Sequence, residues 1–168
     1  MRGGRAARVL PTGDGEEAGP MLPDRLDHEI VVAAPVHRVW AALTEGDQVA
    51  RWYAFDGAEI TARDGGSLVF RWAEHGDFHG RVVAVEPEAF FSYRLAAFPG
   101  AAPAPSGSTL VEFTLLPKGS GVRLRVEESG IRDLDMPEKE QAEYAAAAAQ
   151  GWENGLHLLR AHVEAECD

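Results

Sequence analysis

Glu128 closes an alternating run. Val122, Leu124 and Val126 precede it at a period of two, so a strand through "VRLRVEE" turns Glu128 toward the same apolar side. A carboxylate facing that side needs a hydrogen-bonding partner or a raised pKa, and it then becomes a polar group able to orient a ligand. A bulge or strand end there would turn it to solvent instead. His75, Asp77 and His79 stand at i, i+2 and i+4. On a continuous strand, two imidazoles and a carboxylate would share a face and could ligate zinc or iron. Gly76 and Gly80 point to a turn that breaks this geometry, so neither a metal nor any other cofactor is expected. Arg81 and Arg94 could neutralise an acidic ligand from neighbouring strands, or simply sit on a strand surface. His157 and His162, five apart on a helix, do not share a face. Ser129-Gly130 lacks the pattern of a nucleophile elbow, and "DGG" at 64–66 precedes a strand rather than opening a helix. No catalytic residue is assigned.

The elements that must hold these residues follow from periodicity. Leu26–Val32 alternates and ends at Pro35, which predicts a strand. Val36, Val39, Trp40 and Leu43 then form one face of a short helix, with Pro35 at its start. A second short helical stretch carries Trp52 and Tyr53. The period then changes to two. Strands are predicted at Ala58–Ala62, across Leu68, Phe70 and Trp72, on either side of Glu86-Pro87-Glu88, and in a hairpin whose arms are Val111, Phe113, Leu115 and Val122, Leu124, Val126. "PGAAPAPSG" reads as a loop. A long helix over about 137–165 follows, with Asp135 as its N-cap. Trp152, Leu156, Leu159 and Val163 make its apolar stripe, while Ala145–Ala149, Gly151 and Gly155 leave the rest bare. Strands joined by short turns imply an antiparallel sheet, and the long helix is the element large enough to cover its dry face: a two-layer α+β domain.

The chain has 168 residues, 27 acidic and 16 basic, and a net charge of −11. One domain is expected, spanning 24–168, with residues 1–23 as a disordered tail rich in Gly, Pro and charge. The acidic balance disfavours nucleic acid and anionic membranes as partners. No run is apolar enough to span a bilayer. Cys167 is the one cysteine, so no intrachain disulfide forms, and a reducing cytoplasm fits.

Three stretches, "IVVAAPVHRVWAALT", "TLVEFTLLPKGSGVRLRVEESGI" and "QGWENGLHLLRAHVE", together resemble the START-like, Bet v 1-like helix-grip superfamily (SRPBCC), over about residues 25–165. Within it they look like bacterial relatives of the C-terminal domain of the activator of the Hsp90 ATPase. The resemblance implies a curved antiparallel sheet of about six to seven strands gripping the long helix, two short helices after the first strand, and a cavity between sheet and helix. Trp52, Phe70, Trp72, Tyr93, Glu128, Tyr144, Ala148 and Trp152 are then the candidate ligand-binding residues. The implied function is a binding module for a small hydrophobic or aromatic metabolite or lipid. An aromatase/cyclase-like enzyme acting on a polyketide-type substrate is the alternative. An Hsp90 co-chaperone is less favoured, because that activator uses an additional N-terminal domain where this chain has a short tail. A homodimer stays open.

Overall fold

The computed structural model describes residues 22–166. The expected tail lies outside the described residues except for Leu22 and Pro23, and Leu22 packs against the core. Seven strands form one antiparallel sheet: β1 (Arg25–Val32), β2 (Ala58–Ile60), β3 (Ser67–Trp72), β4 (Gly76–Glu86), β5 (Phe90–Ala96), β6 (Ser108–Lys118) and β7 (Gly121–Ser129). Their spatial order is β1-β7-β6-β5-β4-β3-β2. Strands β2 to β7 are a meander, and β1 closes the other edge by pairing with β7, Ile30 opposite Leu124 and Leu26 opposite Glu128. Two short helices, α1 (Val36–Thr44) and α2 (Gly46–Trp52), follow β1, and α3 (Glu138–Glu166) ends the chain. This is the helix-grip arrangement that the resemblance implies.

Alternation explains which face is dry. Leu68 and Phe70 on β3, Phe91 and Tyr93 on β5, Val111, Phe113 and Leu115 on β6, and Val122, Leu124 and Val126 on β7 are all buried. They meet Ala145, Trp152, Leu156, Leu159 and Val163 of α3. The opposite face of the β1–β7 edge is wet and carries cross-strand ion pairs, Arg25 with Glu127 at 3.2 Å and Arg125 with Asp27. The pairing of β4 with β5 shifts register between Val82 and Ala84, an irregularity of the kind that adds local bend and twist to a strand. The Trp52 indole N–H donates to the Ala42 carbonyl at 2.8 Å and locks α2 to α1. At the far end of α3, the Glu164 carboxylate accepts the Ala33 N–H at 2.7 Å.

Two boundaries differ from expectation. Strand β2 stops at Ile60 rather than Ala62, because the chain turns into the tight bend that precedes Ser67. Asp135 does not cap α3: its N–H donates to the Ser106 carbonyl, and Pro137 O accepts the first helical bond from Gln141 N at 3.0 Å. No helix among the described residues is long and apolar enough to cross a membrane.

Candidate ligand-binding cavity

A cavity of about 540 Å³ lies between the N-terminal half of α3 and the sheet. Tyr144, Ala147, Ala148 and Gly151 form its helix wall. Trp72, Phe78, Leu95 and Glu128 face them from four different strands. Tyr53, His75 and Pro99 line the cavity from outside the strands, and of these His75 and Pro99 are exposed and mark the rim. The bare stripe of α3 has two separate consequences. A Cβ added at Gly151 would meet nothing within 4 Å, so that glycine opens space. A Cβ at Gly155 would lie 3.4 Å from the Trp52 ring and 3.6 Å from Tyr53, so that glycine lets α2 approach. Gly76 does similar work at the rim. Its φ is +109°, and a Cβ there would stand 2.9 Å from Pro99 Cβ.

Glu128 sits at the buried end, 3% exposed. Its alternation with Val126 turns it inward, and three donors from two elements meet it. Trp152 Nε1 donates to Oε1 at 2.8 Å. Thr109 Oγ1 donates to Oε2 at 2.6 Å, and the Tyr144 hydroxyl donates to the same oxygen. Every donor is neutral. Among the described residues, Glu128 forms no ion pair, and neither Lys nor Arg lines the cavity. Burial, followed by the charge of Glu128, pushes the Tyr144 phenol up. The same two causes act on Tyr53, and burial also raises Tyr93. All three phenols therefore remain protonated and able to donate. No hydrogen bond from the Tyr53 or Tyr93 hydroxyl to another described residue is present.

The rings of Tyr53, Trp72 and Phe78 form an aromatic wall. Tyr53 meets Trp72 edge to face at 5.1 Å, Trp72 meets Phe78 at 5.5 Å, and the Trp72 N–H donates to the Tyr53 carbonyl at 2.7 Å. Behind it, Tyr53 stacks on Trp152 at 4.8 Å.

Of the eight candidate residues, Trp72, Glu128, Tyr144 and Ala148 line the cavity. Trp52, Phe70, Tyr93 and Trp152 do not. They are at most 2% exposed and form the packed layer beneath it. Trp52 instead borders a smaller pocket of about 280 Å³ with Phe55 and Leu158. Phe78, expected with the other aromatics at the wall, and Tyr53, expected near the mouth after the short helices, also line the cavity, as do His75, Leu95 and Pro99, which sequence reasoning left out. Pro99 belongs to a loop whose path periodicity does not reveal. In the His75, Asp77, His79 series the expected break falls at Gly76 and not at Gly80: His75 sits in the turn before Gly76, whose φ is +109°, while Asp77 and His79 lie on β4, which runs on through Gly80. The series does not converge on one point: His75 faces the cavity rim, and Asp77 pairs with Arg71 at 3.5 Å. Arg81 and Arg94 point elsewhere, to the Gly65 carbonyl at 3.2 Å and to Ser108 at 2.9 Å.

The sequence model for the family described as activator of Hsp90 ATPase homolog 1-like protein matches residues 33–164. Among solved structures, the chain is similar to protein MLL2253 from Mesorhizobium loti, with 23% identity over 83% of this chain and 96% of that one and a TM-score of 0.69. It is similar to the Aha1 dimer from Colwellia psychrerythraea, with 20% identity over 83% and 96% and a TM-score of 0.68. It is also similar to DynU16, from the dynemicin biosynthetic locus, with 23% identity and a TM-score of 0.66 over 84% of this chain. The chain spans about half of DynU16, 48% of its length. These likenesses show the fold. No curated protein matches the sequence.

Proposed function

The chain belongs to the activator of Hsp90 ATPase homolog 1-like family, and from that premise we propose that its cavity binds a small, mainly apolar molecule. The observation that carries this reading is the 540 Å³ space, walled by aromatic and small side chains, with one buried carboxylate at its base. Its size lies inside the range of roughly 300–1,000 Å³ common for small-molecule sites, and a few convergent polar groups in an apolar wall are what such sites use to fix orientation. Exposed residues at the rim leave it open to entry.

Ala148→Leu tests the reading. Ala148 is half-buried and lines the cavity. A leucine there should fill open space, keep stability within about 1 kcal/mol, and abolish binding of the neutral fluorophore N-phenyl-1-naphthylamine. In a packed site it would instead cost about 1–3 kcal/mol by overpacking. Probe binding unchanged in this variant would sink the proposal.

A second reading, a cyclase-like enzyme, is favoured by one feature, the hydrogen bond between Tyr144 and Glu128 at the cavity wall. In it, Glu128 takes a proton from the carbon beside a ketone, and Tyr144 gives its proton to the carbonyl oxygen. DynU16's origin in a biosynthetic locus supports keeping it. Incubation with a poly-β-ketone separates the two: the enzyme releases cyclised product over many turnovers, whereas the binding module retains one unchanged equivalent. A co-chaperone role would work through the outer surface, and the features supporting a function here lie inside.

A further inference from the structure

Glu128 presents an electrostatic imbalance. A carboxylate 3% exposed, at the base of an apolar cavity, is held by three neutral donors and by no cation among the described residues. Trp152 Nε1 can only donate, so Oε1 is an acceptor, and the Thr109 and Tyr144 hydroxyls occupy Oε2. Such bonds spread negative charge without cancelling it, and burial leaves that charge weakly screened. Trp72 and Phe78 line the same space, and aromatic rings attract a cation through their negative quadrupoles, whereas the Tyr53 ring is stacked on Trp152 and on Trp52. Among the described residues, no lysine or arginine lines the space. Beyond it, the chain carries a net charge of −11, which attracts cations and repels anions.

We infer that the cavity selects an organic cation, an alkylammonium or aryl-ammonium group on an apolar body, whose charge lies between the Trp72 and Phe78 rings and the Glu128 carboxylate. The inference rests on the reading of the cavity as a ligand site and names the ligand class. The apolar body packs on Leu95 and Ala148, and the charge needs no counter-ion from solvent. An acidic ligand would meet the same carboxylate with the same sign, and among the described lining residues the one basic group that could oppose it, His75, stands at the exposed rim.

The test compares phenyltrimethylammonium with tert-butylbenzene, its neutral isostere, as competitors of N-phenyl-1-naphthylamine on the full chain. The quaternary group cannot titrate, so the comparison depends on charge alone. The cation should bind about tenfold tighter than the isostere. In Glu128→Gln, which keeps an acceptor for Trp152, that preference should vanish while the isostere binds within about twofold of wild type. In Phe78→Leu, which replaces a half-buried ring at the margin of the core with another apolar side chain, the preference should fall about threefold, and this variant decides the matter if Glu128→Gln fails to fold. Equal or weaker binding of the cation overturns the inference. So does a preference that survives in both variants, because it then comes from the acidic surface. Entry of the neutral fluorophore without cation preference sinks this inference alone, whereas no entry sinks the ligand-site reading as well.

Discussion

Three side chains depend on Glu128 for their hydrogen bonds, which makes it a structural residue as well as a cavity residue. Removing it strands the Trp152 N–H and leaves the Thr109 and Tyr144 hydroxyls without their acceptor. Each buried orphan donor costs about 1–3 kcal/mol. Glu128→Ala should therefore destabilise by about 3–5 kcal/mol in urea unfolding, and Glu128→Gln by roughly 1–2 kcal/mol. A loss under about 1 kcal/mol for the alanine variant would mean that the carboxylate is not held inside. Trp152 divides the same way. Trp152→Phe keeps a ring but removes the donor to Oε1, and should lose about 1–3 kcal/mol; Trp152→Ala removes packing too and should lose about 3–5 kcal/mol. Equal effects of the two would leave the indole N–H without a role. The inward direction of Glu128 was legible in the sequence, because a period of two fixes the face of a strand residue. Its partners were not, since Thr109 lies on the neighbouring strand and Tyr144 and Trp152 lie on the helix.

The bare stripe of α3 is two features at the scale of the element. Gly151 faces space and Gly155 faces the Trp52 ring. Both weaken the helix by roughly 0.5–1 kcal/mol relative to alanine. Gly151→Ala should regain that amount and slightly weaken probe binding, because its methyl enters the cavity. Gly155→Ala should change stability by less than about 0.5 kcal/mol, since its methyl just touches the ring. Gly155→Leu should lose about 1–3 kcal/mol by overpacking. Thermal melts of the three variants check the set, and a gain for Gly155→Leu would show that α2 does not pack here. The helix and its apolar stripe could be read directly, because Trp152, Leu156, Leu159 and Val163 share one side at helical spacing. The hairpin of β6 and β7 was equally clear. The pairing of β1 with β7 was not, because alternation says which face a strand presents and not which strand lies beside it. The helix start was read to within one residue, 137 against Glu138, but its cap was not, because the Asp135 amide donates to Ser106 outside the helix.

Over the whole molecule, α3 seals against the sheet along its Trp152 to Val163 half, while its other half reaches the core through Ala145 and Tyr144 and leaves the cavity beside Ala147, Ala148 and Gly151. The cavity's existence was readable only as an implication of the fold resemblance, and the assignment of its walls depended on depth: aromatics on one strand face can lie under the cavity, as Phe70 and Tyr93 do, or beside it, as Trp72 does. This arrangement gathers all three tyrosines of the chain, Tyr53, Tyr93 and Tyr144, around Glu128. Burial and that carboxylate raise each phenol above its ordinary value of 10.0. Groups whose folded pKa is raised contribute stability in full below the unfolded pKa, and that contribution is lost as pH rises toward the folded one. Stability should therefore hold up to about pH 10 and fall steeply above it. Each phenol contributes up to about 1.4 kcal/mol per pH unit, so the three together remove up to about 4 kcal/mol by pH 11, a large part of a domain's usual stability. Absorbance at 295 nm should show no tyrosine ionisation in the folded protein near pH 10. The three should then ionise together, in the same narrow range where near-ultraviolet dichroism is lost. In Glu128→Gln the range should move to lower pH, because the variant starts from lower stability and the ionisation of Tyr144 no longer meets a like charge. A single tyrosine titrating near pH 10 with the dichroism intact would put that ring at the surface, and the polar base of the cavity would have to be redrawn without it.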